Sequence, residues 1–237
     1  MNPCPVRDTT VMSPLLIFDI SQLNTPTGYE RVKYPANSFA AWLRKLPLRN
    51  DLKVYLFNGM EKSNQHAQFA VIDLPIGEKN LQQCADVCMR LRADFLLSAG
   101  RENEIAFSDN ALKIYRYSDY RPKISYPAYL EKVFSWCGTM SLQKQLKTLK
   151  YPGDIQPGDI LINGGSPGHA AIIIDVAINK AGQKIFLLAQ GFMPAQDIHI
   201  LRNNSNNALN PWYTFNGNEQ LETPEWNFKP LVIKTWE

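Results

Sequence analysis

The sequence predicts an α+β protein in which helices pack on an antiparallel β-sheet, and three observations support this class. Apolar residues between positions 81 and 95 recur at spacings of three and four, which is the period of one helix face. Two apolar runs, at 169–177 and 184–190, flank a short turn at 179–182, as in an antiparallel hairpin. Helical patterns precede the strand patterns, so separate layers are expected instead of alternating βα units.

Composition limits the classes of function. The chain has 237 residues, of which 45% are hydrophobic, and a formal net charge of +3. A chain of this length and apolar content can bury a core, which excludes disorder. So small a net charge gives no basis for a nucleic-acid partner. The longest apolar run is far shorter than the roughly 20 residues of a membrane-spanning helix, so we expect none.

The first elements are short. We expect an N-terminal arm over 1–35, with turn residues and one apolar run at 15–18, followed by a single α+β domain over 36–237. A short helix is predicted at 38–43, with Asn37 or Ser38 as its cap and Pro47 beyond its end. Strands are predicted at 52–57, which meets the Asn58-Gly59 turn, and at 69–74.

The clearest helix is predicted over 80–98, with Asn80 as N-cap and Gly100 as its stop. Residues 100–150 are expected to form an insertion between this helix and the later strands. Within it, 108–128 is polar and rich in tyrosine, which indicates an irregular loop that packs through its aromatic rings. Two further helices are expected in 129–149, broken near Gly138.

The last third is predicted to be β-rich, with strands at 159–162, 169–177, 184–190 and 197–201. If Ile178 pairs with Gln183 across the turn, His169 lies opposite Phe192 and diagonal to Gln190 on one sheet face. A register error of one residue would move these side chains to opposite faces.

The N-terminal sequence MNPCPVRDTT lacks the basic and apolar regions of an intact signal peptide. If such a peptide has been removed, we expect the protein in the periplasm or outside the cell, and otherwise in the cytoplasm.

Four cysteines are present, at positions 4, 84, 88 and 137, and no two form a CxxC pair. A reactive thiolate needs partial exposure and a favourable field, which a helix N-terminus supplies. Cys84 lies near the predicted helix start, Cys88 lies one turn deeper, and Cys137 lies near a helix end. Cys84 is therefore the candidate nucleophile, while Cys4 falls in the arm.

His169 is the candidate base, because it follows a Gly-Pro-Gly turn and opens an apolar strand that does not need a histidine. The carbonyl of Gln190 could accept the imidazole N–H and fix its tautomer, with Gln196 or Asp197 as substitutes. Asp175 is six residues along the same strand and too far to serve. His199 with Asp197 offers a second acid–base pair, although we expect an exposed strand there.

These motifs resemble those of the papain-like peptidoglycan hydrolases, the NlpC-type peptidases and the CHAP domains. The resemblance rests on QCAD at 83–86, GDIL at 158–161 and GHAAII at 168–173. It implies a papain-like core, with Cys84 as nucleophile, His169 as general base and Gln190 as the orienting residue. Candidates for oxyanion or substrate contacts are Gln83, Gly168 and Gln196. Longer stretches, such as LQQCADVCMRLRADFL and LLAQGFMPAQDIHIL, resemble an uncharacterised bacterial family that implies no activity.

The resulting hypothesis is a thiol hydrolase, a cysteine peptidase or amidase without cofactor or metal. It would act on peptide or amide bonds, and the resemblance suggests those of peptidoglycan. The alternative is a non-catalytic glycan- or peptide-binding module that retains the fold. Aromatic side chains such as Trp212 and Trp226 would then line its groove, although we expect by default that these residues pack in the core or in a lid. A metal-assisted hydrolase through the three histidines is a third hypothesis, with no ligand spacing behind it.

Overall fold

The computed structural model describes residues 18–215, 217 and 219–236. The apolar run expected at 15–18 lies, apart from Phe18, outside these residues, as does Cys4. Five helices are α1 (Phe39–Leu43), α2 (Cys84–Ser98), α3 (Tyr117–Tyr120), α4 (Tyr126–Trp136) and α5 (Thr139–Gln145). The strands up to α5 are β1 (Tyr29–Arg31), β2 (Gln68–Val71), β3 (Ala106–Ser108) and β4 (Ile114–Arg116). The later ones are β5 (Lys147–Thr148), β6 (Ile160–Asn163), β7 (His169–Asn179), β8 (Lys184–Gln190), β9 (His199–Leu201), β10 (Leu221–Glu222), β11 (Asn227–Phe228) and β12 (Ile233–Thr235).

The central sheet is antiparallel and follows the order β2-β9-β8-β7-β6-β12-β5, and β1 pairs with the far end of β7. The predicted class, α+β with an antiparallel sheet, is confirmed. Its two faces bury different clusters. Alternate β7 residues such as Ala170 and Ile172 pack in the cluster that contains α2, and Ala171 and Ile173 pack in the cluster that contains Phe228.

Helix α2 begins at Cys84, four residues later than the sequence predicts. The N–H of Gln83 donates to Asp86 Oδ2 at 2.9 Å, so this carboxylate fixes the helix start. Asn80 is not the cap, because its side chain instead accepts the N–H of Ala195 at 2.8 Å. The predicted stop is correct, since Gly100 adopts a φ of 68° just after the helix.

The β7–β8 hairpin differs from the predicted register at the turn but matches it at the site. Ile178 pairs with Lys184 instead of Gln183. A register shift between Ile173 and Asp175 absorbs one residue, so Ile172 pairs with Ala189 as predicted. The bulge therefore restores the alignment on which the proximity of the site residues depends.

Two other local predictions are corrected. Residues 52–57 form no continuous strand and contribute only isolated bridges at Tyr55 and Leu56, because the chain turns back at once and Leu56 N–H bonds to Met60 O. The segment 108–128 is more regular than expected, since it contains β4, α3 and the start of α4. Its tyrosines do pack on one another, with the ring centroids of Tyr117 and Tyr126 lying 5.4 Å apart.

Candidate functional site

Cys84 is the first residue of α2 and is buried. Burial raises the pKa of its thiol to about 11, although the N–H of Ala170 donates to the sulfur and favours the thiolate. That N–H belongs to the peptide that joins His169 to Ala170. The thiol of the described structure is therefore protonated at neutral pH and lies against the start of β7.

His169 opens β7, where it pairs with Asn163 of β6. Its Nε2 lies 2.8 Å from Oε1 of Gln190, the last residue of β8. An amide oxygen can only accept, so Nε2 carries the proton and Nδ1 keeps its lone pair. Burial lowers the pKa of His169 to about 4, against the opposing effect of the Gln190 hydrogen bond. The neutral imidazole therefore dominates at physiological pH.

Aromatic rings hold the imidazole of His169 in place. Its centroid lies 5.0 Å from that of Phe192, 5.3 Å from Trp226 and 5.6 Å from Phe228. Phe228 belongs to the cluster on the sheet face away from α2, whereas Cys84 approaches from the α2 side. Among the described residues, no hydrogen bond joins the Cys84 sulfur to the imidazole. The structure thus brings the side chains of His169 and Gln190 together. The Cys84 thiol contacts the backbone N–H of Ala170 and not the imidazole.

Glu225 is the central residue of the site that the sequence did not reveal. Its carboxylate accepts hydrogen bonds from Lys62 at 2.6 Å, Gln190 at 2.9 Å and Asn64 at 3.1 Å. Burial alone would raise the pKa of Glu225, but His199, whose Nε2 lies 3.8 Å away, and the hydrogen bond from Lys62 outweigh it and lower the pKa to about 2. These partners come from segments far apart in the chain, and no spacing pattern could have connected them.

His199 also belongs to this buried network, whereas an exposed strand was expected. Its side chain is fully buried, and its Nδ1 lies 2.9 Å from the carbonyl oxygen of Asp197. The expectation was wrong because β9 is an interior strand between β2 and β8, with both faces covered. Asp197 pairs with Arg49 at 2.8 Å instead of with an imidazole ring.

The weaker candidates have different surroundings. Gln83 caps α2, and its side chain donates to Asn80 at 3.2 Å. A Cβ on Gly168 would lie 2.6 Å from Gly165 O, so this turn needs glycine. Gln196 is buried and is not one of the residues that line the cleft at the start of α2. Its amide nitrogen has no hydrogen-bond partner among the described residues. Among the proposed substitutes for Gln190, neither Gln196 nor Asp197 bonds to the described imidazole of His169.

A cleft of about 360 Å³ lies at the start of α2. Gln83, Cys84 and Gly168 line it, and the side chains of Met140 and Met193, 42% and 52% exposed, contribute to its walls. Further lining residues are Asn80, Leu81, Ala85, Asp86, Asn110, Phe134, Cys137, Gly138, Thr139, Gly165, Ser166 and Pro167. The cleft therefore reaches the candidate nucleophile from outside.

Among the described residues, Asp86 is the one carboxyl group that lines this cleft, and none of the lining residues is Lys, Arg or His. Burial raises the pKa of Asp86 to about 8, opposed by the N–H of Gln83. Its Oδ2 accepts that N–H, and its Oδ1 is buried without a partner among the described residues. At neutral pH this carboxyl group is largely protonated, so its unpartnered oxygen can donate as well as accept a hydrogen bond. The cleft is thus suited to a neutral ligand that carries a hydrogen-bonding group.

Two negative findings concern the described residues alone. No helix in this part of the chain is both long and apolar enough to cross a membrane. No three described His, Cys, Asp or Glu side chains are grouped so that they could hold a metal ion.

Comparison with known proteins identifies a family. The model of a domain of unknown function, DUF4846, matches residues 20–124 and 120–234, and the chain therefore belongs to this family. The expected likeness to an uncharacterised domain family is thereby confirmed. Searches of curated proteins and of solved structures find no match.

Proposed function

We propose that this DUF4846 chain is a thiol hydrolase with a papain-like site that cleaves peptide or amide bonds. Cys84 is the nucleophile, His169 the general base and Gln190 the residue that orients the base. The observation that carries the proposal is the 2.8 Å hydrogen bond between His169 Nε2 and Gln190 Oε1. It sets the tautomer in which Nδ1 is free to accept a proton, as a general base requires.

The proposed reaction has two halves. The Cys84 sulfur attacks the carbonyl carbon while His169 Nδ1 takes the thiol proton, and the N–H of Cys84 stabilises the oxyanion. Collapse breaks the C–N bond, and the proton passes from the imidazole to the leaving amine. Water then attacks the thioester with His169 as base, which releases the acid and regenerates the thiol.

The resting site holds a neutral thiol and a neutral imidazole, because burial shifts both pKa values away from the charged forms. Because the His169 ring packs on the sheet face away from α2, the mechanism also requires the start of β7 to rearrange when substrate enters, so that the sulfur leaves the Ala170 N–H and contacts Nδ1. Deprotonation of the thiol is then concerted with attack, because a stable thiolate–imidazolium pair is unfavourable at this burial.

The surroundings of the cleft favour a peptide or amide substrate. An amide group, which can both donate and accept, can pair with the unpartnered Oδ1 of the Asp86 carboxyl group, and the exposed Met140 and Met193 can contact apolar groups. No cationic side chain lines the cleft to pair with a substrate carboxylate beside the scissile bond. Peptidoglycan peptides are the substrate class that the papain-like resemblance suggests.

The test is amine release from peptidoglycan stem peptides and from a neutral acetylated tripeptide amide. Cys84→Ala should abolish release, while Cys137→Ala, which alters another thiol of the same cleft, should leave most of it. Gln190→Leu should lower kcat by about 10²-fold or more, because the base loses its fixed tautomer. Mass spectrometry of wild-type protein quenched during turnover should reveal an acyl group on Cys84. Release that survives Cys84→Ala would exclude the proposal.

A second candidate is the non-catalytic binding module, which the high thiol pKa and the lack of a hydrogen bond from Cys84 to His169 favour. In that case wild-type protein should bind the same peptides without cleaving them. Cys84→Ala should then retain the affinity, whereas Asp86→Leu, which removes the unpartnered carboxyl oxygen, should weaken it. Isothermal titration with intact peptides separates this outcome from hydrolysis.

A further inference from the structure

A second cavity, of about 250 Å³, shares two walls with the cleft, the side chains of Leu81 and Phe134. It lies between the segment before α2 and the first turns of α4. Its apolar lining consists of Pro75, Ile76, Leu81, Tyr126, Pro127, Leu130 and Phe134. Its polar lining consists of the buried or half-buried Gln82, Arg90 and Asp94 and the more exposed Glu78, Lys79 and Glu131. No part of the proposed hydrolysis uses this cavity.

Gln82 supplies an unused donor in this cavity. The residue is only 3% exposed, and its Oε1 accepts a hydrogen bond from Arg90 Nη1 at 2.6 Å. That bond fixes the amide orientation, since the guanidinium can only donate. The Nε2 of Gln82 is buried and has no partner among the described residues. Leaving a buried donor unsatisfied is unfavourable, and a ligand acceptor would remove that cost.

The half-buried charged groups of the cavity, Arg90 and Asp94, already pair with each other, and the exposed Lys79 pairs with Glu131 at 2.6 Å. Arg90 Nε lies 3.3 Å from Asp94 Oδ2, and Tyr126 donates its hydroxyl proton to Asp94 Oδ1 at 2.6 Å. Arg90 also donates to the carbonyl of Pro75. A ligand therefore needs no charge to enter, and the remaining requirement is one acceptor directed at Gln82.

We infer that this cavity binds a small neutral ligand with a ring-sized apolar body and one carbonyl-type acceptor. Its volume exceeds the roughly 150 Å³ cavity that holds benzene, and the excess accommodates the acceptor group. The ligand's apolar body contacts Leu130 and Phe134, and its oxygen accepts from Gln82 Nε2. The inference does not depend on the catalytic role of Cys84.

Two probes with the same number of non-hydrogen atoms test it, acetophenone and isopropylbenzene, in which a methyl group replaces the carbonyl oxygen. In ¹⁵N-resolved NMR titrations, both should shift the backbone amides of Leu81 and Leu130. Acetophenone alone should shift the side-chain amide of Gln82. Gln82→Leu should weaken acetophenone binding about tenfold, as expected for one hydrogen bond, and leave isopropylbenzene binding unchanged or tighter.

Ile76→Trp, which fills the cavity from a partly exposed wall, should abolish the binding of both probes. Cys84→Ala should leave both affinities unchanged, so that loss of hydrolysis and loss of this site remain separate results. The inference is overturned if neither probe binds at millimolar concentration, or if the shifts map elsewhere. Equal acetophenone affinities of wild type and Gln82→Leu would also overturn it.

Discussion

Glu225 should control both the stability of the buried network and the tautomer of His169. Its carboxylate is 10% exposed and receives the ammonium of Lys62, itself 6% exposed, at 2.6 Å. Glu225→Gln leaves that ammonium buried without a counter-charge. Breaking one partner of a buried ion pair costs about 3–5 kcal/mol, so we expect a loss of that order in unfolding free energy. Urea unfolding at pH 7, followed by tryptophan fluorescence, measures it.

The double variant Lys62→Met/Glu225→Gln separates the charge effect from packing. Because it removes both charges, it should be more stable than the sum of the two single losses predicts. Strict additivity of the two single losses would show that the pair is not coupled. A loss below about 1 kcal/mol for Glu225→Gln would contradict the argument, since it would place this charge pair in the range of exposed pairs.

The same variant tests the orientation of Gln190. The Gln190 amide donates to Glu225 at 2.9 Å, which directs its oxygen at His169. A glutamine at position 225 can present either its NH₂ group or its oxygen to Gln190, so Gln190 no longer strongly prefers the orientation that directs its oxygen at His169. The ¹⁵N shifts of the His169 ring should then move from an Nε2-protonated tautomer toward a mixture. An unchanged ring tautomer would mean that packing by Trp226 is sufficient.

Two further predictions concern the pH dependence of stability, and a third concerns a buried carboxylate. The pKa of His169 is lowered from 6.5 to about 4, so the free energy of unfolding should fall as the pH drops between these values. His169→Gln should flatten this part of the pH profile, which urea unfolding from pH 7 to 4 measures. The pKa of Asp86 is raised from 3.8 to about 8, so stability should fall as the pH rises through this range, and Asp86→Asn should raise the Tm more at pH 9 than at pH 5. Asp175 is fully buried and forms ion pairs with Arg31 and Arg44, each at 2.6 Å. Asp175→Ala should therefore lower the free energy of unfolding by about 3–5 kcal/mol. A loss near zero would mean that solvent compensates the two arginines.

The sequence identified the layers of the fold because periodicity is a local property. The α2 face, its Gly100 stop and the β7–β8 hairpin follow from spacing, turn residues and apolar runs alone. The same reasoning misplaced the start of α2, because local preference favours Asn80 over Gln83 as a helix cap. The tertiary contact between Asn80 and Ala195 decides between them.

The hydrogen bond between His169 and Gln190 shows how far local reasoning can go. The diagonal placement of the two residues was predicted from an assumed register, and their 2.8 Å contact is present. The register at the turn was nevertheless off by one, and the bulge between Ile173 and Asp175 corrects it. Asp175, which borders this bulge, accepts hydrogen bonds from Arg31 and Arg44. Both arginines lie more than 100 residues away in the chain, so local sequence does not reveal these contacts.

The sequence by itself determined the α+β class, the helix that carries Cys84 and the strand that His169 opens, because these depend on near neighbours. Only the tertiary structure decided that Glu225, Lys62 and His199 surround Gln190, and that burial keeps the thiol and the imidazole neutral. Desolvation and long-range pairing depend on how the whole chain packs. Local periodicity carries no information about either.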